Sequence, residues 1–175
     1  NRSVDISHFL KFSLWNAHSV RNKTISCSEY VLDKGIDALF LTETWLNDSD
    51  NVIIGELCPP GYMFINVPRD SDNYGGIGVL YRCPLKFQII PFNFKSATFE
   101  YTIISNTRRK IYYILIYRPP PPYRNNGLKT SQFLDDFANF LICVNSLAGK
   151  VVLLGDFNIH VDCPGKTDVT RFLET

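Results

Sequence analysis

Val151-Val152-Leu153-Leu154-Gly155-Asp156-Phe157-Asn158 joins four branched apolar residues to a glycine, an acid and an amide. The apolar run is too short for a helix and has the composition of a buried strand. Asp156 and Asn158 stand two positions apart just past it, so alternation along an extended chain lets both side chains point to one side. A carboxylate at such a strand end can bind a hard cation or accept a proton from water. An Asx-turn that only ends the strand accounts equally well for the tetrapeptide taken alone.

Upstream of this stretch, Thr130 and Ser131 offer an N-cap to a helix that carries Phe133, Phe137, Phe140, Leu141, Val144 and Leu147 on one face. Before it, the short strands Tyr62 to Val67, Gly76 to Arg82, Phe87 to Ile90, Thr98 to Ser105 and Ile111 to Tyr117 alternate with clusters of Pro, Gly, Asn and Asp and read as a sheet meander. Nearer the start, Lys11 to Asn16 alternates like a strand, and Asn22 to Lys34 has helical spacing closed by Gly35. Ile36 to Thr42 is another buried strand. Pro119 to Pro122, after Arg118, is extended, and a stiff loop leaving a strand is the better reading than an SH3-type ligand. There is no internal repeat.

A chain of 175 residues with 45% apolar and 14% aromatic content can bury a substantial core in one domain. Its 18 Lys and Arg nearly cancel 17 Asp and Glu, so a nucleic-acid partner would have to be met by a local patch. Arg108-Arg109-Lys110, with Arg69, Arg82, Arg118 and Arg124, is the candidate patch. Cys27, Cys58, Cys83, Cys143 and Cys163 form no Cys-x-x-Cys pair and are odd in number. This argues against a disulfide framework or a zinc site and for a reducing, intracellular compartment, nuclear or cytoplasmic. Asn22 and Asn47 begin Asn-x-Ser/Thr tripeptides, which are short enough to arise by chance. No apolar run is long enough to span a bilayer, and Arg2, Asp5 and His8 stand where a signal core would be. The chain begins without Met and stops at Thr175 inside an incipient helix, which reads as a fragment of a longer domain.

Two further strand ends carry oxygen ligands. The first strand ends in Trp15-Asn16, and the second in Leu41-Thr42-Glu43-Thr44-Trp45. Magnesium takes a few carboxylates together with water and phosphate oxygens, a set that Glu43, Asp156, Asn16 and Asn158 could supply if the strands lie side by side. Each of these residues alone also reads as a capping or solvated loop residue.

Taken in order, Asn16, Thr42-Glu43-Thr44-Trp45-Leu46, Gly75-Gly76-Ile77-Gly78-Val79, Tyr117-Arg118-Pro119-Pro120 and Gly155-Asp156-Phe157-Asn158 resemble the endonuclease/exonuclease/phosphatase superfamily. Within it, Leu-Thr-Glu-Thr-Trp-Leu, Ile-Tyr-Arg-Pro-Pro and Gly-Asp-Phe-Asn-Ile-His are similar to the apurinic-like endonuclease domain of non-LTR (LINE-type) retrotransposons. The resemblance covers nearly the whole chain. It implies an α+β fold, a four-layered αββα sandwich with its active site at one edge of two packed sheets, acting on DNA with Mg²⁺, or Mn²⁺ in its place. It also implies roles: Glu43 holding the metal, Asn16 beside the metal or the scissile phosphate, Tyr117 on the phosphate, Asp156 orienting or deprotonating the attacking water, and Asn158 helping to place it. Nothing in the residues signals a membrane or protein partner.

The chain departs from the pattern in two places. His18 stands where some relatives carry an acid near the metal; His160 is a further candidate to which strand alternation assigns no role, a lone His being more often structural. The family continues to a later acid and a final Ser-Asp-His, which these residues do not include: none of His8, His18 and His160 follows Ser-Asp. The resemblance therefore implies a single domain over residues 1–175, short of its C-terminal strands and weakly active or inactive. Two alternatives stay open. One is a phosphatase of the same superfamily, although Ile159-His160-Val161-Asp162 resembles the retroelement version. The other is a non-catalytic remnant or domesticated nucleic-acid-binding domain.

Overall fold

A computed structural model of the chain describes residues 9–69, 74–106, 110–120 and 129–175. Arg2, Asp5, His8, Arg108, Arg109, Pro121, Pro122 and Arg124 lie outside the described residues. The first sheet contains β1 (Phe12–Asn16), β2 (Ala38–Thr42), β3 (Tyr62–Val67) and β4 (Ile77–Arg82), in the order β1-β2-β4-β3. The second contains β5 (Phe87–Ile89), β6 (Glu100–Asn106), β7 (Ile111–Tyr117) and β8 (Lys150–Asp156), in sequence order. Among the described residues β1 with β2 and β7 with β8 are parallel, and the other pairs are antiparallel.

Strand alternation divides the side chains among three cores. Ala38 and Phe40 of β2 and Ile77, Val79 and Tyr81 of β4 meet Tyr113, Leu115 and Tyr117 of β7 between the sheets. The intervening Leu39, Leu41 and Leu80 pack outward against α1 (Thr24–Asp33) and α2 (Asn51–Leu57), through Cys27, Val31 and Leu57. On the far side Ile103, Ile114 and Ile116 pack against α3 (Thr130–Val144), with Phe172 of α4 (Thr167–Glu174) beside them. The layers therefore run helix, sheet, sheet, helix, as the resemblance implies. Each fully buried aliphatic or aromatic side chain contributes roughly 1.5–3 kcal/mol to holding them together.

Four details differ from the sequence reading. The supposed meander is split, because β3 and β4 belong to the first sheet and β5 opens the second. A 3₁₀ turn at Cys83–Leu85 and a left-handed Lys86 (φ 48°) redirect the chain, and Phe87 enters the intersheet core. The helix α2 has no counterpart in the sequence reading, since seven residues with only Leu57 fully buried leave little periodic signal. The N-cap of α3 is Lys129 rather than Thr130 or Ser131; its N–H donates to the Gln132 side chain at 2.7 Å. Finally, β8 is not buried: it is an edge strand with β7 on one side, and Val151 and Val152 are substantially exposed.

The two parallel pairs position the site. Parallel strands end on the same side, so Asn16 pairs with Thr42 and Tyr117 with Asp156 in register. Stacking of the sheets brings these two rims together.

Candidate active site

Phe12 lies on the intersheet face of β1, and alternation puts Asn16, four positions on, on the same face at the rim. Its Oδ1 accepts the His18 N–H at 3.1 Å, closing an Asx-turn at the end of β1. Its Nδ2 donates to Glu43 Oε1 at 2.7 Å and to Asp156 Oδ2 at 2.8 Å. Both amide hydrogens are thus spent on carboxylates, one from each sheet. Asp156 repeats the arrangement from β8: Oδ1 accepts the Asn158 N–H at 3.1 Å while Oδ2 reaches Asn16. Asp156 therefore closes an Asx-turn through Oδ1 and bonds Asn16 through Oδ2.

Glu43 lies with 14% of its side chain exposed, and its Oε2 faces His18 Nδ1 at 3.2 Å. The Tyr117 hydroxyl also binds its carboxylate. Burial and the adjacent Glu43 charge push the Tyr117 phenol well above its ordinary range, so it stays protonated and donates. Asn16, Glu43, Asp156 and Tyr117 thus form one cluster.

The loop bearing Glu43 is held in a costly conformation. Glu43 (φ 54°) and Trp45 (φ 55°) are left-handed, as are His18 (φ 44°) and Ser19 (φ 74°) facing them. Each such residue costs on the order of 1–3 kcal/mol and persists only where its surroundings enforce it. Here they do. Ser19 and Val20 donate to the carbonyls of Glu43 and Thr44 at 2.9 and 3.1 Å, while Thr44 and Trp45 donate to Gly76 and Gly75 at 3.1 and 2.8 Å. A Cβ on Gly76 would come within 2.8 Å of Thr44 Oγ1 and one on Gly75 would clash with the Arg69 guanidinium, and both have positive φ (75° and 84°), which explains the glycine pair before β4.

Asn158 is set differently. Its left-handed backbone (φ 48°) breaks the alternation that would align it with Asp156, and its Nδ2 donates to the Arg118 carbonyl at 2.6 Å. Arg118 is only 3% exposed, with its guanidinium 4.5 Å over the Phe133 ring. It donates to the carbonyls of Phe157 and Asn158 at 3.2 and 3.4 Å and to Thr130 Oγ1 at 2.9 Å. Its backbone N–H binds the Asp156 carbonyl at 2.8 Å. Burial lowers its pKa from the usual arginine value. Arg118 thus anchors the segment after β8, a task no sequence signal announced, because an arginine beside prolines reads as surface.

This overturns part of the basic patch. Arg118 is interior, Arg69 Nε donates to Glu100 Oε1 at 2.7 Å, and Arg82 Nε donates to the Tyr62 hydroxyl at 3.0 Å with Asp37 at 3.5 Å. These cations are already engaged within the fold. Lys110 is exposed, whereas Arg108, Arg109 and Arg124 lie outside the described residues. His160 is exposed on the loop beyond Asn158.

Among the described residues no group of three or more His, Cys, Asp and Glu side chains is arranged to enclose a metal. A complete cage is not what Mg²⁺ requires: it binds through one or two carboxylates and keeps water and phosphate oxygens in its other positions. Two carboxylates converging on a neutral amide fit that partial set, and a cation would relieve their mutual repulsion.

The Endonuclease/Exonuclease/phosphatase family matches over residues 14–173. Among solved structures the chain is similar to an AP endonuclease from Archaeoglobus fulgidus, at 15% identity and a TM-score of 0.64, covering 95% of this chain and 70% of that one. It is similar to a mannosyl-6-phosphatase from Bacteroides thetaiotaomicron at 14% identity and 0.63, with coverage of 95% and 70%. It is also similar to D. rerio TDP2 complexed with single strand DNA product, at 15% identity and 0.57, with coverage of 93% and 64%. The chain spans about two thirds of the length of these structures. No curated protein matches it. At such identities the likeness to solved structures is one of fold. No described helix is long and apolar enough to cross a membrane.

Proposed function

The chain belongs to the endonuclease/exonuclease/phosphatase family, and from that premise we propose that its strand-end cluster hydrolyses phosphodiester bonds with Mg²⁺, as the DNA-nicking endonuclease of a non-LTR retrotransposon. The observation that carries this reading is the Asn16 amide, bonded at once to Glu43 from one sheet and Asp156 from the other. Glu43, with Asn16 beside it, would hold the Mg²⁺. When bound, that ion supplies positive charge against the negative charge that grows on the phosphate oxygens.

The proton inventory supports the other roles that the resemblance implies. Asp156 has Oδ1 fixed by the Asn158 N–H, so its ring of partners sets the orientation of Oδ2, the oxygen that would take a proton from the attacking water. Tyr117, kept neutral, can offer its proton to a phosphate oxygen in exchange for Glu43. Asn158, tied to the Arg118 carbonyl through one amide hydrogen, has its other hydrogen and its carbonyl oxygen with which to place the water.

DNA as substrate is supported by two of the similar structures, an AP endonuclease and a TDP2 complexed with single strand DNA product. A mannosyl-6-phosphatase is equally similar in fold, so the choice of DNA over sugar phosphates leans on the residues themselves, from Leu41-Thr42-Glu43-Thr44-Trp45-Leu46 to Gly155-Asp156-Phe157-Asn158-Ile159-His160.

Supercoiled plasmid incubated with the chain and Mg²⁺ tests the proposal. Nicking should be slow, because the residues include no Ser-Asp-His, and should fall a further ~10²-fold or more in Glu43→Gln and Asp156→Asn. Metal-dependent nicking identical in both variants overturns the assignment. Salt-sensitive duplex binding without any nicking favours the binding-only alternative, and phosphate release from mannose 6-phosphate with intact plasmid favours a phosphatase.

A further inference from the structure

Beside the cluster, three aromatic rings stand in a row that the hydrolytic chemistry does not use. The His18 and Trp45 rings lie 4.7 Å apart at 60°, and the Trp45 and Tyr74 rings 4.9 Å apart at 78°. The row begins at the carboxylates, since His18 Nδ1 is 3.2 Å from Glu43 Oε2. It also reaches solvent: the His18 side chain is 75% exposed and Tyr74 is 37% exposed.

The middle ring stands on a backbone that its neighbours hold in a strained conformation. Trp45 adopts a left-handed backbone, unusual for a large side chain. Its N–H is fixed on Gly75 at 2.8 Å and its carbonyl accepts Arg21 Nε at 3.2 Å. Its indole N–H is buried with no hydrogen-bond partner among the described residues, although buried indoles normally find one. The chain's other tryptophan, Trp15, shows none of this. It packs on Tyr30 at 4.4 Å in the helix-facing core.

We infer that His18, Trp45 and Tyr74 form a stacking strip for a nucleobase of the DNA strand whose phosphate enters the Asn16-Glu43-Asp156 cluster. The inference rests on the hydrolytic reading for where that phosphate lies. Nucleobases stack on accessible aromatic rings whatever their sequence, and the row runs from Glu43 through His18 and the half-buried Trp45 to the exposed Tyr74 ring. The fold's basic residues fit this division of labour: Arg69, Arg82 and Arg118 are engaged internally, so base stacking would supply affinity that those cations do not.

The test compares an oligothymidylate with an oligomer of the same phosphate count made of base-free tetrahydrofuran nucleotides, with Ca²⁺ replacing Mg²⁺. Charge and backbone are matched, so only the bases differ. Oligothymidylate should quench tryptophan fluorescence and bind about tenfold or more tightly than the base-free strand. Trp45→Leu, which leaves Trp15 as background, should lose the quench and the base-dependent gain. Tyr74→Ala, at an exposed ring, should reduce that gain in part. Equal binding of the two strands, no binding of either, or an unchanged quench in Trp45→Leu would overturn the strip. Failure of the hydrolytic reading shows separately, as plasmid nicking indifferent to Glu43→Gln.

Discussion

Tyr117 shows how one side chain carries both the fold and the chemistry proposed for it. Its ring fills the intersheet core at the rim, 2% exposed, while its hydroxyl meets Glu43. Burial and that carboxylate raise the phenol's pKa in the folded state above its unfolded value near 10. The folded chain therefore keeps a proton that the unfolded chain gives up. This stabilisation is fully present below about pH 10 and is lost as the pH rises through the folded value. Tyr117→Phe should cost about 1.5–3 kcal/mol at neutral pH by removing a donor to a charged group. Its deficit against wild type should narrow above pH 10. Urea unfolding at stepped pH measures both, and a deficit that stays constant to pH 11 would count against a phenol held in its neutral form. The identity of Tyr117 was legible in the sequence through the Tyr-Arg-Pro-Pro pattern; its bond to Glu43 was not, because the two residues lie on different sheets.

At the scale of elements, the segment following β8 depends on a neighbour rather than on itself. Alternation from Val151 predicted that Asp156 and Asn158 would align, yet the turn after Asp156 sends the Asn158 amide to the Arg118 carbonyl. The Arg118 guanidinium in turn spans the Phe157 and Asn158 carbonyls and Thr130 at the start of α3. Replacing it with Met keeps apolar volume over Phe133 but leaves these acceptors without a donor. Arg118→Met should destabilise the chain by about 2–4 kcal/mol and speed amide exchange at residues 156–158. Lys should not restore it, since one compact ammonium cannot reproduce the planar fork. Full stability in the Lys variant would show that charge alone suffices. A similar long-range tether starts α2: Asp50 receives Arg21 Nη1 at 2.8 Å and the Asn47 N–H at 2.7 Å. Helix periodicity revealed α1 and α3, whereas α2 is too short for a periodic signal and its tether comes from Arg21, 29 residues upstream of Asp50.

Over the whole molecule, the parallel pairs β1-β2 and β7-β8 place the proposed chemistry, and β8 also leaves an open edge among the described residues. Val151 at that edge is 39% exposed, and an open sheet edge invites pairing with another copy. Light scattering should show self-association that grows with concentration and is reduced in Val151→Lys; indifference to the substitution would place the contact elsewhere. Most strand positions, the amphipathic face of α3 and the placement of Asn16, Glu43, Asp156 and Asn158 at or just past strand ends were legible in the residues, while the class of fold and Tyr117 were legible through short patterns shared with a family. These are local properties, set by alternation, helical spacing and short patterns of residues. Chain packing set the rest: β4 and β5 part into different sheets, Arg118 is interior, Asn158 faces a backbone carbonyl, and Asn16 joins two carboxylates. Each of those depends on which elements become neighbours, and Asn16 and Asp156, 140 residues apart, meet only after both sheets have formed and stacked.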